Sequence, residues 1–361
     1  MRDPLLVFAA DEHLFDTNGL RLLTPIAAEH TLEFGTAGSI HVEHPLDREG
    51  DWKALQPGLI IRAPVPYRGE TRWQPFRIYR RIKTRKNGSP VISADALHMF
   101  YDLNDVLLED ARPTSLNCQA AIQWLFDHPY STVHSPLSNF TFYSNITREN
   151  TAYYQWKTLT AALIGADNCI LKRWGGELFV NGLYFSICET MEESREDAFR
   201  IGYGYNLAEI EETVDYTNTF SQLIATNNFG ERKEGSVPIS SCGLPFNKAL
   251  YTTFTYSDQL SELARRAAFN ADFNAKLTEI TQPSVNYTVK FSDIPPDHPF
   301  QELAGYEVGD SGTIEDSELE IETTQRIMKT VTNLLTGERI STETGNLKGS
   351  IARKTAYSNT L

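Results

Sequence analysis

The residues of this chain that come nearest to a metal-binding motif are His41-Val42-Glu43-His44. Zinc proteases use two histidines four residues apart on one face of a helix. Here the histidines are three apart in a segment with strand-like texture, where they point to opposite faces and cannot share one metal ion. We therefore expect a surface segment, and we predict neither a metal site nor a cofactor.

Motifs for nucleophilic or nucleotide chemistry are missing from the sequence. It contains no GxSxG elbow and no Walker A loop. Gly202-Tyr203-Gly204 lacks a third glycine and a following helix, so we interpret it as a kink in a strand. Paired carboxylates such as Glu211/Glu212 are common in acidic proteins and indicate solvated faces. We predict no catalytic residue.

A basic stretch at residues 76–83 is the first of two candidate surfaces. Apolar and basic side chains alternate there with a period of two, which predicts a half-buried strand with a basic outer face. The apolar side chains are Phe76, Ile78 and Ile82. The basic side chains are Arg77, Arg81 and Lys83. This face either lies in solvent or docks an acidic partner or neighbouring subunit.

An acidic stretch at residues 318–323 is the second candidate surface. If it is a strand, Leu319 and Ile321 share one face. The opposite face then carries Glu318, Glu320 and Glu322. Three neighbouring carboxylates repel one another and are tolerated in water but not in a core. We expect this face to be wet.

Composition sets the broad class. The chain has 361 residues, which predicts more than one domain, and its 41% hydrophobic and 22% charged residues are typical of folded proteins. The net charge of −14 argues against a protein that grips nucleic acid by its phosphates. The four cysteines form no CxxC pair, which indicates that the chain folds in a reducing environment with its thiols free. The apolar residues 5–10 are too short for an export signal or a membrane span.

The predicted elements are mainly strands. Residues 1–110 read as strands and turns, with a hairpin at Asn87-Gly88. Residues 111–190 predict two helices, the second at 151–164, followed by a three-stranded meander over 168–188. A long loop is expected at 226–248, a strong helix at 257–280, and strands after Pro283.

Several segments resemble one known family, in that family's order. They are 74–79 (QPFRIY), 96–103 (ALHMFYDL), 181–185 (NGLYF), 200–210 (RIGYGYNLAEI), 283–294 (PSVNYTVKFSDI), 306–313 (YEVGDSGT) and Arg326-Ile327. The chain resembles the prophage tail endopeptidase, or tail-associated lysin, family in its N-terminal baseplate-hub region. Residues 32–38 read LEFGTAG, where that family often has an E-x-NG element.

The resemblance implies a β-rich α+β fold with two tail-tube-like β-barrel domains and inserted helical or α+β modules. The first barrel would comprise residues 1–112 with 189–218, and the inserted α+β domain 113–188. The second barrel would comprise 219–361, including the helical segment 257–281. Three subunits would form a ring of pseudo-sixfold symmetry around a channel that continues a hexameric tail tube.

The resemblance also implies a structural role at the tip of a virion tail, in a protein made in the bacterial host cytoplasm. Expected partners are further copies in a homotrimer, a distal tail or tail-tube protein, a tape-measure protein, and receptor-binding or fibre proteins. DNA would pass without specific binding, along a wall that includes the 318, 320 and 322 carboxylates, and no membrane insertion is expected. Two alternatives stay open: a tail-associated cell-wall endopeptidase, and a receptor- or carbohydrate-binding tail module.

Overall fold

Two units make up the chain in the computed structural model, which describes residues 3–86, 88–133, 135–166, 168–203, 207–256, 261–291 and 305–345. Unit 1 comprises Met1–Glu209 with Val289–Glu343, and unit 2 comprises Ile210–Thr288 with Thr344–Leu361. The division into two barrels stays a prediction.

Strands dominate both units. In chain order they are β1 (Leu5–Phe8), β2 (Arg21–Leu23), β3 (Ala27–Glu33), β4 (Ser39–Pro45), β5 (Ile60–Tyr67), β6 (Glu70–Lys86), β7 (Ser89–His98), β8 (Leu107–Ala111), β9 (Thr141–Tyr143), β10 (Tyr154–Thr158), β11 (Glu177–Asn181), β12 (Tyr184–Cys188), β13 (Phe199–Gly202), β14 (Leu207–Asp215), β15 (Gln222–Asn227), β16 (Arg232–Ser236), β17 (Ala249–Phe254), β18 (Ser284–Phe291), β19 (Ser311–Asp316), β20 (Ile321–Asn333) and β21 (Arg339–Gly345).

Among the described residues the helices are fewer. They are α1 (Cys118–Asp127), α2 (Ile170–Arg173) and α3 (Glu262–Ile280), with 3-10 turns at Asp51–Ala54, Met99–Asp105, Pro136–Asn139 and Ile239–Cys242 and a π-helical turn at Ala161–Gly165. The β-rich α+β class predicted from the sequence is confirmed. Within the described part of the chain, no helix has the length and apolar character needed to cross a bilayer.

One large sheet organises unit 1. Its strand order is β2-β1-β5-β6-β7-β4-β3-β20-β21, and β19 pairs antiparallel with β20 and parallel with β13. In β4 the burial alternates, so that Ile40, Val42 and His44 face the core while the residues between them do not. The strands from residue 311 onward therefore complete a sheet begun by the first hundred residues.

Residues 113–188 supply most of one apolar core, which also includes Phe100, Leu103 and Leu108 from outside this range. Asn117 caps α1 by accepting a hydrogen bond from the amide of Ala120, as the capping signal predicted. The β11–β12 hairpin turns at Gly182 as expected, and its third strand is β9, which is parallel to β12. Trp174 and Phe185 are fully buried in this core, and the separation of residues 113–188 as an inserted domain stays a prediction.

Two predictions in this module are wrong. The expected helix over 151–164 is instead β10 followed by the π-helical turn, because β10 pairs antiparallel with β8. The expected strand over 168–174 contains the short helix α2. Pairing with β8 outweighed local helix propensity at β10.

Unit 2 contains a three-stranded sheet covered on one face by α3. β15 is antiparallel to β16 and parallel to β17, and Leu223 and Ala225 pack against Phe269 and Phe273. Ser261 caps α3, which confirms the predicted helix from residue 262 on, and residues 257–260 lie outside the described part. The long loop expected at 226–248 is wrong in part, since β16 lies within it.

Candidate functional site

The acidic stretch forms the tip of the β19–β20 hairpin. Ser317–Glu320 is the turn, so Glu318 and Glu320 lie outside any strand, and only Glu322 is in β20, opposite Glu315. The prediction of one strand face carrying three carboxylates is therefore wrong. The predicted exposure is confirmed, because all three glutamates are exposed.

Local hydrogen bonds explain why a turn forms there. The Asp316 carboxylate accepts hydrogen bonds from the amides of Glu318 and Leu319, each at 3.0 Å. Glu320 takes a left-handed conformation, with φ of 57°, and closes the turn. The result is an acidic turn rather than an acidic strand face. Nearby Glu315 forms an ion pair with Arg200, with 2.8 Å between a guanidinium nitrogen and a carboxylate oxygen.

The basic strand β6 contains a β-bulge that reverses its faces. Ile78 pairs with Ala96 and Arg80 pairs with Asp95, so Tyr79 is the extra residue. Beyond the bulge, Arg81 pairs with buried Ala94. One extra residue exchanges inner and outer positions in a strand.

The three predicted docking side chains therefore do not share a face, and that prediction is wrong. Arg77 precedes the bulge, while Arg81 and Lys83 follow it on the opposite face, where Lys83 lies 5.7 Å from the Trp52 ring. Ile82, predicted to be inward, is 41% exposed. The bulge could not be seen in the regular alternation of residue types.

Arg77 is also engaged within the chain. Its guanidinium donates to both Asp102 oxygens at 2.7 Å and to the carbonyls of Ala10 and Gly58. A bidentate ion pair of this kind fixes the orientation of both the Arg77 and the Asp102 side chains. Arg77 holds the start of the 3-10 turn after β7 against the sheet and is not free to dock a partner.

A charged network occupies the outer face of β4, β6 and β7. Arg80 and His41 both contact Asp95, at 2.6 Å each, and His41 and Lys86 both contact Glu43. Burial disfavours the charged form of His41, but its hydrogen bonds to Asp95 and Glu43 outweigh burial and raise its pKa. These contacts are internal to the sheet.

His41 and His44 point to opposite faces of β4, as the sequence predicted. His44 is fully buried, its Nδ1 contacts the carbonyl of Pro45 at 2.8 Å, and its Nε2 accepts from the amide of Thr24. Among the described residues, no group of three or more His, Cys, Asp or Glu side chains is arranged to hold a metal ion.

The cysteines are poor candidates for nucleophiles. All four are buried and free. Burial raises the pKa of Cys118 to about 11, and it also raises the pKa of Cys169 and of Cys188. A thiol must lose its proton to attack, so these three are inert at neutral pH.

Three of the resembling segments meet in one hydrogen-bond cluster. Gln74 accepts at its Oε1 from His98 Nε2 (3.1 Å) and from the Gly182 amide (2.7 Å), and it donates from its Nε2 to Asn181 (2.8 Å). His98 Nδ1 accepts from the amide of Phe100, which fixes the neutral tautomer protonated at Nε2. In these three segments, Gln74, His98, Asn181 and Gly182 fasten the β11–β12 turn to β6 and β7.

Asp310, from the segment YEVGDSGT, is the centre of a second cluster in unit 1. It is fully buried and accepts hydrogen bonds from the Arg68 guanidinium (2.9 Å), the Arg195 amide (2.7 Å) and the Glu307 amide (2.9 Å). Glu307 in turn pairs with Arg339 at 2.6 Å. The β5–β6 turn, the connection before β13 and the start of β19 are therefore joined at one carboxylate.

Sequence reasoning assigned no role to these residues. The only available signal was that Gln74, His98, Asn181, Gly182, Glu307 and Asp310 lie inside the resembling segments. Arg68, Arg195 and Arg339 lie outside them, and spacing along the chain does not reveal partners more than a hundred residues away. Their arrangement is that of structural fasteners, since they bond to other parts of the same unit, although the buried Nε of Arg68 has no hydrogen-bond partner among the described residues.

Comparison with known proteins gives one family match. Residues 194–355 match the family described as prophage endopeptidase tail, which confirms the resemblance over that part of the chain. No curated protein matches the sequence.

Solved structures match nearly the whole chain in fold. Prophage tail protein gp18 of Listeria monocytogenes EGD-e is 15% identical, with a TM-score of 0.61 and coverage of 99% of this chain and 98% of that one. A tail protein of Neisseria meningitidis MC58 is 12% identical, with a TM-score of 0.63 and coverages of 95% and 96%. The 43 kDa tail protein of Shewanella oneidensis prophage MuSo2 is 12% identical, with a TM-score of 0.64 and coverages of 96% and 98%. This chain shares the fold of these tail proteins.

Proposed function

We propose that the chain is a non-enzymatic structural subunit of a phage-type tail tip. The observation that carries the proposal is the fold shared with three tail proteins over at least 95% of this chain, together with the family match over residues 194–355. The buried polar clusters support it, because they fasten distant segments of the chain to one another.

In the proposed assembly, three copies form a ring that continues the tail tube and provides a channel for DNA. Neighbouring tail-tube, tape-measure and receptor-binding or fibre proteins attach to it. The exposed acidic tip at residues 317–322 lies at the channel in this proposal, where its carboxylates repel phosphate and prevent DNA from adhering during ejection.

Mass photometry of the chain alone and mixed with its tail-tube protein tests the ring. We expect the 40.8 kDa monomer alone to be in exchange with a species of three times that mass, and tail-tube protein to increase the trimer. A stable dimer or tetramer that persists on dilution would contradict the ring.

The channel role of the acidic tip has its own test. The variant Glu318→Lys, Glu320→Lys, Glu322→Lys is expected to retain duplex DNA at low salt, with retention lost as salt rises. A matched control with the same change in net charge carries Glu70→Lys, Glu149→Lys and Glu189→Lys, which are also exposed positions. Equal DNA retention by the two assembled variants would refute a channel position for the tip.

The endopeptidase alternative makes a different prediction. It requires the purified chain to release fragments from peptidoglycan, and it requires one substitution of a Glu or His to abolish that release. We expect no release above a heat-denatured sample.

A further inference from the structure

Two exposed aromatic rings meet on the surface of the 113–188 module. Tyr130 is 60% exposed and Trp156 is 54% exposed, yet their ring centroids lie 5.8 Å apart with 58° between the ring planes. Large aromatic side chains left in water lose the stabilisation that burial would give. Their contact therefore forms an open corner, with part of each ring available to a ligand.

The backbone holds Trp156 in this position at a cost. Its φ is +50°, a left-handed conformation that bulky residues rarely adopt, although it lies inside β10 between the paired residues Gln155 and Lys157. Strain of this kind persists where the surroundings impose it, and it is concentrated at ligand sites. A glycine at this position would have no such strain, so the tryptophan is present in spite of the backbone.

Exposed polar residues neighbour Trp156 along the chain and across the strand pair. Gln155 and Lys157 flank Trp156 in sequence and are both exposed. Exposed Glu109 lies on β8 between Asp110 and Leu108, the partners of Gln155 and Lys157. A protein partner that binds through apolar contacts needs a contiguous apolar patch, which this polar surround does not provide. A pyranose ring matches it better, because it has an apolar C–H face to stack on an aromatic ring and a rim of hydroxyl groups for hydrogen bonds.

We propose that the Tyr130–Trp156 corner is a binding site for a pyranose unit of a glycan. Stacking would use the exposed ring faces, and Glu109, Gln155 and Lys157 would supply hydrogen bonds to the hydroxyl groups. The site does not depend on the ring or on the channel, so a monomeric chain should bind sugar as well as an assembled one.

Titration of the full chain with chitotetraose and maltotetraose, followed by saturation-transfer NMR and calorimetry, tests the site. The two probes separate N-acetylglucosamine chains from glucose chains. We expect saturable binding of at least one, weakened about 10-fold or more by Tyr130→Ala or Trp156→Gly. Tyr143→Ala, which removes another exposed ring of the module, should leave the affinity unchanged.

Trp156→Gly also separates binding from folding. Because glycine relieves the left-handed strain but gives up the ring contact and adds unfolded-chain entropy, this variant should melt within a few degrees of the parent chain while losing the sugar. Failure of both probes to bind the parent chain at 10 mM, a concentration on the order of the weakest specific sites, would overturn the proposal. So would unchanged affinity in Trp156→Gly.

Discussion

Two buried neutral histidines make unit 1 sensitive to acid. His30 is 5% exposed and packs edge-on against Phe76, and His98 is 2% exposed between Gln74 and the Phe100 amide. Burial lowers the pKa of each from its ordinary value of 6.5 to about 3, with a smaller contribution from Arg339 at His30 and from His30 at His98. Protonation of His98 at Nδ1 would also place a new N–H against the Phe100 amide, from which Nδ1 now accepts a hydrogen bond.

The sign of the effect follows from proton linkage. Below pH 6.5 the unfolded chain binds protons at both histidines, whereas the folded chain does not until about pH 3. Stability is therefore lost progressively as pH falls through that window. Each unit of pH is worth about 1.4 kcal/mol for each histidine, so lowering the pH from 7 to 5 should cost about 2 kcal/mol for each, or about 4 kcal/mol together.

Urea unfolding at pH 7, 6, 5.5 and 5 measures this loss. The variant His30→Gln, His98→Gln should be less stable at pH 7, yet its unfolding free energy should depend on pH less steeply by about two protons. His13→Gln, at an exposed histidine, is the matched control and should keep the parent slope. Parallel slopes for the parent chain and the double variant between pH 6 and 5 would refute the reasoning.

Further predictions concern the polar cluster and a sheet edge. Asp310→Ala should lower the unfolding free energy by about 3–5 kcal/mol, because it leaves Arg68 and Arg195 beside a buried void. Glu318→Ala at the exposed tip should change the unfolding free energy by less than about 0.5 kcal/mol. Urea unfolding measures both, and equal effects would contradict a structural role for the cluster. The carbonyls of Lys248, just before β17, and of Phe254, at its end, accept hydrogen bonds from residues at or next to the two ends of β15. The odd-numbered residues of β17 therefore direct their backbone groups away from β15. Hydrogen exchange by NMR should therefore be fast at the three outward amides and slow at the residues between them, and uniform protection would show that this edge is covered. The outward amides are Ala249, Tyr251 and Thr253.

The sequence was informative where side-chain periodicity and capping act locally. Alternation predicted the inward Phe76 and Ile78 of β6, and helical spacing predicted a helix over 257–280, within which α3 lies. Asn117, one of two candidate caps with Ser115, precedes α1. The spacing of His41 and His44 was enough to reject a shared metal ion. Each of these depends on neighbours a few residues apart, for which sequence spacing gives geometry directly.

The errors arose where distant parts of the chain decide the local structure. The bulge at Tyr79, set by pairing with β7, reversed the faces of Arg81 and Lys83. The acidic segment is a local exception, because the side chain of Asp316, two and three residues away, turned it into a hairpin tip. β10 formed because β8 was available to pair with it. Asp310 acquired its partners by tertiary contact alone. No periodicity records such events, because they are set by pairing partners rather than by composition.

Electron cryomicroscopy of assembled tails that contain this chain tests the central claim most directly. We predict three copies around an open axial passage, with residues 317–322 lining it. A tip in which the chain is present in another stoichiometry, or lies to the side of the passage, would contradict it.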